Sequence, residues 1–66
     1  MILIKTTPDK KEMLEKLKQY FSEDIAEDMI KATDRNGMSA YGRFMVRKPG
    51  KQYVLLMLPE EKETAV

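Results

Sequence analysis

An α+β fold of the order strand, helix, helix, strand, strand follows from three observations in this 66-residue sequence. A β-branched N-terminal run stops at a proline. Two helical periodicities follow, out of phase with each other, and two strand-like runs flank Pro49-Gly50 near the C-terminus. The expected architecture is a three-stranded sheet with both helices on one face.

Ile2-Leu3-Ile4-Lys5-Thr6 reads as the first strand, over residues 2–6, because β-branched side chains favour the pleated backbone. Thr7-Pro8-Asp9 then reads as a helix start, with Thr7 as N-cap and Pro8 at the first helical position, where its missing N–H is no loss. Met13, Leu14, Leu17, Tyr20 and Phe21 recur at helical spacing, which predicts a helix over residues 8–21. A second apolar set follows at Ile25, Ala26, Met29, Ile30 and Thr33. At about 100° per residue the two sets point roughly 140° apart, so one straight helix would face two different neighbours. A break at Ser22 resolves the conflict, with Ser22 capping a second helix over residues 23–34; a single kinked helix is the other arrangement this pattern permits. Asn36-Gly37 supplies the stop, since either residue tolerates the left-handed conformation.

Beyond Gly37 the period shortens. Residues 40–47 read as the second strand and residues 52–58 as the third, joined by Lys48-Pro49-Gly50-Lys51, where Pro and Gly occupy the central positions of a type II turn. A symmetric hairpin puts Phe44, Val46, Tyr53 and Leu55 on one face and Arg43, Met45, Val54 and Leu56 on the other. The run from Tyr53 to Leu58 is apolar without alternation, as in a strand covered on both sides, so it belongs at the sheet centre. Residues 1–59 thus form one small domain, and residues 60–66, acidic and without periodicity, are expected to be a mobile tail.

Composition narrows the function. The chain has no cysteine and no histidine, which leaves no disulfide, thiolate or imidazole chemistry, and the three glycines form no nucleotide-binding fingerprint. Glu23, Asp24, Glu27 and Asp28 make two one-turn pairs that could share a proton or a cation, but an acid-rich helix start explains them without one. No enzyme, metal, cofactor or small-molecule substrate is expected. The apolar N-terminal run is too short for a signal peptide or membrane span, and a cytoplasmic protein is expected.

Two candidate surfaces remain. The stretch from Arg35 to Lys51 holds five cations and no acid, and Arg43, Arg47, Lys48 and Lys51 with Tyr41 form a basic hairpin able to meet a protein partner or the phosphates of a nucleic acid. The same charges could instead keep an edge strand from pairing with other sheets. The second surface is the sheet face that two short helices leave bare, carrying Met45, Val54 and Leu56. A small non-catalytic interaction or regulatory protein, self-associating or held by a protein partner, is the leading expectation. A nucleic-acid-binding accessory protein using residues 41–53 is the alternative.

Overall fold

The computed structural model describes residues 1–59. Six elements succeed one another: β1 (Ile2–Thr7), α1 (Lys10–Leu17), α2 (Glu23–Asn36), β2 (Met38–Tyr41), β3 (Phe44–Arg47) and β4 (Tyr53–Met57). The strands make one antiparallel sheet in the order β1-β4-β3-β2. The helix pair carries the chain from one edge of the sheet to the other, and the β2-β3-β4 meander brings it back beside β1. The residues expected to form an acidic tail, 60–66, lie outside those described.

The sheet has four strands where three were expected, because the run over residues 40–47 folds back on itself. Gly42 has φ +63°, among the described residues none other than glycine has positive φ, and Tyr41 pairs with Phe44 across the reversal. Glycine at the first central position followed by a residue of negative φ matches a type II′ turn, whose twist suits adjacent antiparallel strands. A clue lay in the spacing of the aromatics: Tyr41 and Phe44 are three apart and would face opposite ways on one continuous strand, whereas the turn sets them side by side.

The helix boundaries shift for local reasons. Thr7 is not the N-cap but the last residue of β1, paired with Tyr53. Asp9 caps α1 by accepting from the Lys11 N–H at 3.0 Å. The Thr7 hydroxyl accepts from the Asp9 N–H at 3.0 Å and donates to Glu12 at 2.9 Å, which ties strand end to helix start. The break is real: α1 ends at Leu17, and Ser22 accepts from the Ile25 N–H to cap α2. Tyr20 and Phe21 therefore lie in the connection, not on α1. Gly37, at φ +86°, closes α2 with its N–H bonded to the Thr33 carbonyl at 2.8 Å.

Both helices cover one sheet face. Met13 and Leu17 from α1, Ala26, Met29 and Ile30 from α2, and Val46, Tyr53 and Leu55 from the strands form the buried core, with Ile4, Leu14, Phe21, Ile25 and Phe44 packed around it. Buried Thr33 satisfies its hydroxyl on the Met29 carbonyl at 2.8 Å. At the end of the sheet where β2 turns into β3, Tyr20 lies 4.8 Å from Phe44, while Phe21 sits edge-on to Phe44 at 5.2 Å and to Tyr41 at 5.4 Å between ring centres. That cluster fastens the α1–α2 connection to the hairpin.

A Cβ added at Gly42 meets nothing within 4 Å, so substitution there strains only the backbone. Gly42→Ala should lower unfolding free energy by about 1–2 kcal/mol in a denaturant titration. Unchanged stability would contradict the turn.

Candidate functional site

The bare face of the sheet is the most distinctive surface. Register alone assembles it: Leu3, Leu56 and Met45 are directly opposite one another across β1, β4 and β3, and Ala40 on β2 completes the row. The next row towards the other end of the sheet is Thr6, Val54, Arg47 and Met38. No element among the described residues packs on this side. The three residues expected here, Met45, Val54 and Leu56, do share the face, each half-buried by its neighbours. Leu3 and Met38, at 59% and 46% exposure, extend it and were not anticipated. Met38 joins through the additional strand. Leu3 joins because a register shift between Leu3 and Lys5 lets Ile4 turn into the core while Leu3 stays outside.

The basic residues are divided rather than gathered. Arg43 stands in the Gly42-Arg43 turn, at the opposite end of β3 from Lys48, and its carbonyl accepts from the Leu58 N–H at 2.7 Å. Four residues at about 3.3 Å each place Arg43 and Arg47 roughly 13 Å apart. Arg47 lies on the bare face between Met38 and Val54, and Lys51 lies in the exposed β3–β4 loop. Tyr41 is half exposed and engaged with Phe21. The charged strand is also not an edge: β3 is interior, and the edge strand β2, Met38-Ser39-Ala40-Tyr41, carries no charge.

Lys48 belongs to a cluster that sequence reading missed. Tyr53 Oη donates to Asp34 at 2.5 Å, Lys48 Nζ lies 3.4 Å from both Asp34 and Tyr53 Oη, and Lys10 Nζ pairs with the other Asp34 oxygen at 3.1 Å. Lys48 also lies over the Tyr53 ring, 4.7 Å from its centre. The cluster joins the starts of α1 and the β3–β4 loop to the end of α2. An acid in the last turn of a helix opposes the helix dipole, and that placement of Asp34 was a signal that cations must converge on it. The Tyr53 hydrogen bond, followed by Lys10 and Lys48, holds the Asp34 carboxyl below its ordinary value. Burial, reinforced by Asp34, raises the Tyr53 phenol, and the hydrogen bond to Tyr53 raises Lys48. With every member tied to another, the cluster is a tertiary clamp.

Among the described residues no three carboxylates converge as a metal site, and no helix is long and apolar enough to cross a membrane. The acids Glu23, Asp24, Glu27 and Asp28 lie along the first half of α2. No family model, curated protein or solved structure matches the chain. The site therefore speaks through its own geometry.

The clamp has a signed pH dependence. Because the Asp34 carboxyl is lowered, its stabilisation is present above the ordinary carboxylate value and is lost as pH falls through the lowered one. Tyr53 and Lys48 are raised, so their share is complete below their ordinary values and is lost as pH rises through the raised ones. Tyr53→Phe should cost about 1 kcal/mol at neutral pH. Asp34→Asn should flatten the acid limb of a stability–pH profile measured by urea unfolding; an acid limb as steep as in the original chain would contradict the assignment.

Proposed function

We propose that this is a small non-catalytic interaction protein that works by self-association, with the bare sheet face of one copy packed on that of another. The observation that carries the reading is the uncovered row Leu3-Leu56-Met45-Ala40, which crosses all four strands without a polar side chain. Water against such a row is unfavourable by about 25 cal/mol per Å² of apolar surface, and a second identical face removes it. Sheets packed face to face sit about 10 Å apart and interdigitate side chains of this size.

A second copy suits the face better than a nucleic acid does. Its central row is apolar, and Arg47 is the only cation in the two rows, flanked by Met38 and Val54. Of the remaining cations of the hairpin, Arg43 and Lys51 lie in the turns at either end of β3 and Lys48 is held in the Asp34 clamp. The absence of histidine and cysteine from the chain, and the tying of its one tight Asp–Tyr–Lys group into the fold, support a binding role over a catalytic one.

Light scattering over a dilution series tests this. The mass should fall with dilution and change little with salt, because the contact is apolar. Met45→Lys should weaken association at least tenfold, since a charge placed in an apolar contact must be desolvated. A chain that stays monomeric at the highest soluble concentration would overturn the reading.

A further inference from the structure

The bare face is small for the task. Four strands about 4.8 Å apart and about five residues long at 3.3 Å per residue present a projected patch of roughly 300 Å², against about 800 Å² per partner in a standard stable interface. A second surface that enlarges the face would resolve the shortfall, and the β2 edge has the properties required.

The two sheet edges are treated differently. β1 is protected by its irregular register and by Lys5, two common devices against strand pairing. β2 has neither: it is regular, uncharged and free of proline. Its hydrogen-bonding pattern can be followed from the Lys48 N–H to Gly37 carbonyl bond of 3.1 Å, which marks Gly37 and Lys48 as a bonded pair. Bonded and non-bonded pairs alternate in an antiparallel ladder, so Ser39 and Tyr41 also direct their backbone groups at β3. The N–H and C=O groups of Met38 and Ala40 therefore point outward from the sheet.

Beside this edge, α2 borders a groove with Asp28, Lys31, Ala32 and Arg35 along its wall and Ser39 and Tyr41 below. Asp28, Ala32 and Arg35 share one side at helical spacing, an acid near one end, a small residue in the middle and a base near the other, with Lys31 at the margin of that side. Neither Asp28 nor Arg35 has an ion-pair partner among the described residues. Such a stripe is self-complementary. A twofold axis beside Ala32 and Ser39 would set Asp28 of each copy against Arg35 of the other, and the same axis would pair Met38 of each β2 with Ala40 of the other.

We infer that two copies join edge to edge through β2, with their α2 helices antiparallel beside the seam, to form one eight-stranded sheet with a doubled bare face. This rests on the reading that the chain self-associates, and it completes that reading: two such pairs close face to face as a tetramer. The axis of the edge contact is perpendicular to the sheet and that of the face contact lies parallel to it, so both fit one closed point group.

Sedimentation velocity on the full chain separates the two contacts. The original chain should run as a tetramer and Met45→Lys, which disables the face, as a dimer. Leu3→Lys, at a more exposed position that cannot disturb the core, should do the same. In the Met45→Lys background, either Asp28→Lys or Arg35→Asp should halve the mass again, and a one-to-one mixture of those two chains should restore the dimer, because lysine at 28 then meets aspartate at 35. A monomeric Met45→Lys or Leu3→Lys chain, or a mixture that stays monomeric, would overturn the edge contact. An Asp28→Lys chain that is monomeric with its face intact would overturn the face contact instead.

Discussion

Strand β4 is hydrogen-bonded on both sides, to β1 and to β3, and every other part of the molecule is arranged around that double pairing. Its partner β1 is at the far end of the sequence, so the pairing closes a loop of roughly 50 residues, at an entropic cost on the order of 3 kcal/mol beyond a constant. Local hairpin contacts cannot supply that. The closure is offset by what β4 brings to the core: Tyr53 and Leu55, both buried, packed under Met13, Leu17 and the α2 residues. A short chain without a disulfide therefore depends on a contact that forms only when nearly everything else has formed.

The Asp34 cluster stands at the margin of that core and gives it orientation. Tyr53 is buried in body and polar at its tip, and the tip needs a partner. Asp34 from α2 and Lys48 from the loop after β3 supply it, and Lys10 from the start of α1 pairs with the other Asp34 oxygen. Lys10, Lys48 and Tyr53 are all fixed to this one carboxylate of α2, which sets the rotation of the helices over the sheet. The aromatic cluster of Tyr20, Phe21, Tyr41 and Phe44 performs the equivalent task at the opposite end by packing alone.

Covering one face leaves the other bare, and the two edges differ as well. An irregular, lysine-bearing β1 resists further pairing, while an uncharged β2 invites it. The bare face has one origin: two short helices supply enough apolar surface for a single side of a sheet.

The helices, the phase break at Ser22, the hairpin about Pro49-Gly50 and the central place of residues 53–57 were legible in the sequence, because each rests on local periodicity or on the fixed dihedral angles of proline and glycine. The apolar trio Met45, Val54 and Leu56 was legible for the same reason, since strand alternation alone puts it on one side. The fourth strand was less so: a two-residue turn is nearly silent in composition, and only the odd spacing of Tyr41 and Phe44 marks it. Long-range pairing decided the rest. It brought Leu3 into the apolar row, made β2 and not the arginine-bearing strand the edge, and gathered Lys10, Asp34, Lys48 and Tyr53. Sequence patterns report the angle at which a side chain leaves its own backbone. Which side chains then meet depends on how distant segments close upon one another, and that is set by the tertiary structure.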